Sequence, residues 1–157
     1  MSLAADVLDA ARARSVMIAT AESCTGGLIV AALTEVPGSS DAVDRGFITY
    51  SNGAKQDMLG VRPDTLQAHG AVSEEVAMEM AAGALRQSAA GIAVSVTGIA
   101  GPGGSEHKPE GRVCFGIAQP FGTRTETVEF GAIGRHRVRA ATVEHALQLL
   151  MDALRRG

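Results

Sequence analysis

Tryptophan is absent from this 157-residue chain and tyrosine occurs once, so the aromatic platforms on which single-stranded nucleic acids stack are missing. There is no basic excess either. The net charge is −3, whereas nucleic-acid-binding domains carry a basic face. Only two cysteines occur, Cys24 and Cys114, far apart and outside any CxxC spacing, which excludes a disulfide framework and a thiolate zinc site. The four histidines, at 69, 107, 136 and 145, have no metal-ligand spacing, so no metal and no cofactor is expected. The longest run without Asp, Glu, Lys or Arg, Gln87 to Ser105, is broken by Gly and Pro and does not read as a membrane span. "MSLAADVLDAARAR" lacks the apolar core of a signal peptide, so the expected location is the cytoplasm.

What is present is a globular composition, 46% apolar against 20% charged, in a length that buries a core without staples and predicts one domain over residues 1–157. Leu3, Val7, Ala10 and Ala11 recur at helical spacing and predict a first helix over 2–13. "SVMIAT" (15–20), "GFITYS" (46–51) and "GIAVSV" (91–96) read as buried strands. A uniformly apolar helix is expected over 25–36, a short one over "NGAKQDML", and a helical turn from Pro63 to near Gly70. Ser73 caps a further helix carrying Val76, Met80 and Ala84 on one face. "RVCFGIAQ" (112–119) and "TRTETVEF" (123–130) flank "PFG" as a hairpin, and Val143, Leu147, Leu150, Met151 and Leu154 mark a long last helix. Helices alternating with apolar strands predict a three-layer α/β/α sandwich with a mixed, mostly parallel sheet.

In such sheets ligands gather at the carboxyl ends of the strands. Three segments leave strands there: "AESCTGG", "YSNGAK" and "TGIAGPGGSEHKPEG". The first offers Ser23, Cys24 and Thr25 at a helix start whose free N–H groups favour an anion, with Gly26 and Gly27 permitting close approach. Ser23 or Thr25 as a plain helix cap fits the same residues, and Cys24 is an alternative nucleophile without a histidine partner. The second places Tyr50, Ser51 and Asn52 at a strand end and Lys55 one helical turn on. A lysine becomes a base only if its pKa falls, because at about 10.4 roughly one in 2,500 is neutral at pH 7. A solvated surface lysine is the other reading. The third segment brings Thr97 and backbone donors of a glycine-rich loop, whose second half, "SEHKPE", reads as a surface excursion. Glu22 either orients Lys55 or a substrate hydroxyl or faces solvent, and Arg135, Arg137 and Arg139 open the last helix, where the dipole disfavours cations unless an anion lies near.

"TAESCTGGLIVAALTEVPGSSDAVDRGFITYSNGAK", "GAVSEEVA" and "VSVTGIAGPGGSE" together resemble the C-terminal domain family of competence/damage-inducible proteins, which includes nicotinamide mononucleotide deamidases. The likeness runs from about residue 3 to 155. It implies an α/β/α fold that forms dimers or larger oligomers, and metal-free hydrolysis of nicotinamide mononucleotide to nicotinate mononucleotide and ammonia. A domain resembling molybdopterin-binding proteins, which precedes this one in some relatives, is not in the sequence, so the stand-alone form is implied. Residue by residue, the resemblance implies Ser23 as nucleophile, Tyr50 and Lys55 managing its proton, and Cys24, Thr25, Gly26, Gly27, Thr97, Gly98 and Gly101 around the substrate. An arginine of the last helix, Arg137 among the three, is implied for the phosphate. Gly53, Glu110 and Arg112 depart from the family pattern. Two rival readings remain: hydrolysis of another nucleotide amide, and a non-catalytic module that binds pyridine nucleotide or a partner.

Overall fold

The computed structural model describes residues 2–156, in six helices, a single 3-10 turn and five strands. The strands are β1 (Ile18–Glu22), β2 (Val43–Ile48), β3 (Ile92–Gly98), β4 (Arg112–Gln119) and β5 (Gly122–Glu129). The helices are α1 (Leu3–Ala13), α2 (Leu28–Thr34), α3 (Asn52–Leu59), α4 (Pro63–His69), α5 (Glu74–Arg86) and α6 (Arg135–Arg156). One sheet in the order β2-β1-β3-β4-β5 holds all five strands; β2, β1 and β3 are parallel, and the β4–β5 hairpin adds antiparallel to β3. The expected α/β/α sandwich is therefore present, its parallel part confined to the three strands that carry the candidate segments.

Period-two alternation assigns each face of the sheet to a different layer. Ile18, Ile92, Val94, Val96, Val113, Phe115 and Ile117 face α1, α2 and α6, whose Leu8, Ile29, Leu33, Leu147 and Leu150 complete the larger core. Each such side chain stabilises the fold by roughly 1.5–3 kcal/mol. The opposite face is built from small residues. Ala19, Ala21, Ala93 and Ala118 meet Val76, Met80, Ala81 and Ala84 of α5, and the Ser95 hydroxyl donates to the Ala77 carbonyl at 2.6 Å. A side chain on Gly116 would put its Cβ 2.7 Å from that same carbonyl, so α5 sits as close as its backbone permits.

β1 begins and ends later than its apolar run predicts. Ser15 takes a left-handed turn (φ 55°), and the strand runs on through Ala21 and Glu22. A charged residue inside a fully buried strand contradicts simple patterning, and its compensation lies in α2. The Glu22 carboxylate accepts from the N–H groups of Gly27, Ile29 and Val30 and from the hydroxyls of Thr20 and Thr25. Those N–H groups have no partner within the helix, and a buried carboxylate needs donors, so each satisfies the other. α2 starts three residues after the predicted position because Gly26 (φ 59°) and Gly27 (φ 106°) turn the chain to reach this arrangement.

Candidate active site

The loop after β1 passes into α2 on one face of the sheet, whereas the loop after β2 passes into α3 on the other. Adjacent parallel strands whose exits diverge leave a crevice at their carboxyl ends. Ser23 stands on one side of that crevice and Lys55 on the other. They line one cavity of about 370 Å³ together with Cys24, Tyr50, Asn52, the stretch from Thr97 to Glu106, Ala71, Val72 and Arg135. That volume lies within the range of sites for small organic ligands.

Lys55 is the largest side chain buried almost completely, at 1% exposure. α3 points it inward because Ser51 caps the helix at Ala54 N–H and the apolar Leu59 anchors the next turn. Its ammonium donates to Ser23 Oγ at 2.9 Å, to the Thr49 carbonyl at 2.9 Å and to the Tyr50 carbonyl at 3.2 Å. No carboxylate pairs with it among the described residues. Burial lowers its pKa from 10.5 to about 8. At that value about one lysine in eleven is neutral at pH 7, against roughly one in 2,500 for a free side chain. The partners also decide which contact changes on deprotonation. Carbonyls only accept, so a neutral amine keeps its two hydrogens on Thr49 and Tyr50 and turns its lone pair to the one partner that can donate, the Ser23 hydroxyl.

The other predicted site residues divide into those at the cavity and those behind it. Cys24 lines the cavity, but burial pushes its thiol up to about 11, which keeps it protonated and a poor nucleophile. Thr97, Gly98 and Gly101 also line it, with the Thr97 hydroxyl donating to the Ala71 carbonyl at 2.8 Å. Thr25 is fully buried and donates its hydroxyl to Glu22 at 2.6 Å, not toward the cavity. Gly26 and Gly27 are likewise outside the lining; their backbone conformation, not the approach of a ligand, calls for glycine. Tyr50 is 63% exposed at the mouth, where its phenol accepts from Arg135, and only its carbonyl meets Lys55.

Two expectations from the residues alone are corrected by contacts. Glu22 neither orients Lys55 nor faces solvent; it occupies the start of α2, so those helix N–H groups are not free for a substrate anion. The N–H groups of Cys24 and Thr25, directly after Ser23, meet no backbone acceptor among the described residues; Cys24 lines the cavity, whereas Thr25 is buried behind it. The arginines of α6 also serve differently from one another. Arg137 is exposed and outside the lining, so the structure does not bring it to the cavity. Arg135 lines the mouth and donates to the Gly101 carbonyl at 2.6 Å and to Tyr50 Oη. Arg139 lies behind the Ser23 turn, donating to the Cys24 and Thr25 carbonyls. Cations at a helix start are thus held here by carbonyls.

The second half of the glycine-rich loop is tied down. Lys108 donates to the carbonyls of His69 and Val72, Glu110 accepts from Gly103 N–H, and Arg112 pairs with Glu129 at 2.8 Å. The departures at 110 and 112 therefore have structural partners, and Gly53 is exposed on α3. Ala71 and Val72 were not singled out by their side chains; their signals were the "GAVSEEVA" stretch and a position immediately before the Ser73 cap that turns the chain past the site. No group of three or more His, Cys, Asp or Glu suited to a metal occurs among the described residues.

The chain resembles several known sequences and solved structures. A CinA-like protein of Chlorobium phaeobacteroides (strain BS1) is 54% identical over 145 residues, 89% of this chain and 34% of that protein, so the chain spans about a third of that relative's length. The nicotinamide-nucleotide amidohydrolase PncC of Escherichia coli (strain K12) is 49% identical over 151 residues, 96% of this chain and 92% of that protein. Among solved structures, the competence/damage inducible protein CihA from Agrobacterium tumefaciens superposes with a TM-score of 0.87 at 50% identity over 96% of each chain. A CinA superfamily protein from Klebsiella pneumoniae 700603 gives a TM-score of 0.95 at 36% identity, covering 99% of this chain and 97% of that one. With the CinA C-terminal domain matching residues 1–154, this chain belongs to the CinA C-terminal domain family.

Proposed function

We propose that the chain hydrolyses the carboxamide of nicotinamide mononucleotide, giving nicotinate mononucleotide and ammonia, through Ser23 as nucleophile and Lys55 as its base. The observation that carries this reading is the 2.9 Å contact between a serine hydroxyl and a buried lysine without a carboxylate partner. Near-full-length similarity to the amidohydrolase of Escherichia coli supports the reaction and the substrate.

Neutral Lys55 takes the Ser23 proton as Oγ bonds to the carboxamide carbon, and the carbonyl electron pair moves onto its oxygen. The N–H of Cys24, the residue that lines the cavity directly after Ser23, holds that oxyanion; a donor of this kind is worth about 3–4 kcal/mol where it has been removed by mutation. Collapse breaks the C–N bond, and the Lys55 ammonium returns the proton so that ammonia leaves. Water then attacks the acyl-serine, giving its proton to Lys55. The Ser23 oxygen departs and recovers the proton, leaving the acid. Tyr50 assists through its carbonyl, which holds Lys55 in place. Arg135, the arginine that lines the mouth, is assigned to the phosphate in place of Arg137.

The test is ammonia release from nicotinamide mononucleotide, with mass spectrometry of acid-quenched enzyme for an acyl group on Ser23. Turnover lost in Ser23→Ala and Lys55→Met supports the assignment. Ligand that raises the melting temperature of wild type without any ammonia would instead identify a binding module.

A further inference from the structure

The sheet ends on β5, whose outer edge pairs with no strand. An open edge offers its N–H and C=O groups to any second strand, and proteins blunt such edges with proline, lysine, bulges or short strands. β2, at the other end, is blunted: its register with β1 shifts, and Asp44 and Arg45 tie it to Ala89 and Gln87. β5 has none of these devices. It runs for eight residues, "GTRTETVE", without proline, lysine or a break in its register with β4.

The hairpin decides which backbone groups the edge presents. Pro120 and Phe121 form a two-residue turn closed by the Gln119–Gly122 pair, and such a pair exchanges both hydrogen bonds. Alternation then turns the N–H and C=O of Gly122, Arg124, Glu126 and Val128 toward β4 and those of Thr123, Thr125, Thr127 and Glu129 outward. The Phe130 N–H, which donates to the Gly111 carbonyl on the β4 side, continues the same alternation. Side chains alternate as well. Arg124 and Glu126 share the α6 face, where Glu126 meets His145 at 2.7 Å. Thr125 and Thr127 share the α5 face, where Glu74 holds both hydroxyls.

A second copy related by a two-fold axis pairs antiparallel, with one residue opposite itself. Centred on Arg124 or Glu126, the edge sets like charges against each other. Centred on Thr123 or Thr127, it leaves both charges without partners. Centred on Thr125, it sets Arg124 opposite Glu126 of the partner subunit twice over, at the positions between hydrogen-bonded pairs where cross-strand side chains come closest. That register also joins the outward groups of Thr123, Thr125 and Thr127. On the α6 face, residues 124–126 rim a groove of about 140 Å³ lined by Phe115, Ile117 and Leu149, which a second copy so placed would cover.

We propose that β5 is a self-docking surface: two copies join edge to edge about an axis through Thr125 into one ten-stranded sheet, Arg124 of each opposite Glu126 of the partner subunit. The inference is independent of the hydrolytic reading, since no residue of β5 lines the cavity.

Sedimentation velocity over a range of concentrations measures the dimer dissociation constant of wild type, Arg124→Glu, Glu126→Arg and the double variant. Either single swap turns both opposite-charge pairs into like-charge ones and is expected to weaken the dimer about ten- to a hundredfold, while the double variant returns to within about threefold of wild type. Mixing the two single variants separates repulsion from misfolding. Each is weak alone, yet together they form a tight heterodimer, because every cross-strand charge pair is then opposite in sign. Register is read by oxidising Thr125→Cys, which cross-links to its own copy across Cα atoms about 5.5 Å apart; Thr123→Cys, about 13 Å from its copy along the strand, does not. The native cysteines are buried and take no part. Monomeric wild type, single swaps that leave the dissociation constant unchanged, a mixture no tighter than its components, or no cross-link at position 125 overturns the proposal.

Discussion

Replacing Lys55 by methionine keeps the unbranched stem of the side chain, one atom shorter, and removes its titration. In the native protein the lysine titrates at about 8 instead of 10.5 because it is buried. Between those values the unfolded chain binds the proton and the folded chain does not, so stability rises with pH. Below pH 8 both states hold the proton and the buried ammonium is a constant penalty; the penalty is relieved as pH climbs through 8 and is gone above about 10.5. At about 1.4 kcal/mol per pH unit, full relief is about 3 kcal/mol, of which about 1 kcal/mol falls between pH 7 and pH 9. Denaturant unfolding of wild type and Lys55→Met at both pH values measures this directly. Groups common to both proteins cancel in the difference, leaving a wild-type gain of about 1 kcal/mol over the variant. In parallel, wild-type kcat/KM rises tenfold per pH unit below a midpoint near 8, and the variant shows no ammonia release. A stability difference that stays flat from pH 7 to 9, or an activity midpoint near 10, would refute the claim that burial has made this lysine a base.

Ser23→Ala is expected to lower ammonia release by at least about a thousandfold while nicotinate mononucleotide still binds by calorimetry. Glu22→Gln leaves five donors facing one acceptor oxygen and an amide, and is expected to destabilise the fold by about 2–3 kcal/mol, read as a lower denaturation midpoint. Gly116→Ala presses a methyl group on the Ala77 carbonyl and is expected to cost about 1–3 kcal/mol by the same measurement. Cys24→Ala is expected to keep kcat within about threefold of wild type in the ammonia assay, since a thiol that titrates at about 11 has no role as a nucleophile.

The strands, the six helices and the order of layers were legible because apolar periodicity and caps report local geometry. Ser73 and Pro63 start their helices where the sequence places them. The candidate segments were legible for a topological reason: three parallel strands side by side bring their exits together whatever the loops contain. What the sequence did not disclose was the use of each polar group. Glu22 looked like a group that orients Lys55 or a substrate hydroxyl, or a surface charge, because four of its five donors lie three to eight positions further along the chain, in the turn and first residues of a helix whose start was itself misplaced. The arginines of α6 share one local pattern, and only tertiary contacts separate the one at the mouth from the one behind the turn. Tyr50 contributes a carbonyl to Lys55, and side-chain chemistry gives no hint of a backbone role.

Ser23 and Lys55 are rooted in opposite helical layers, one leading into α2 and the other into α3. Their separation therefore gauges how far the two halves of the sandwich have slid past each other. Loosening either layer at a distance, for instance by trimming Leu150 on the buried face of α6, should slow proton transfer before it weakens ligand capture. The cavity rim is drawn mostly from the glycine-rich loop, which Arg135 ties to one layer and Lys108 to the other.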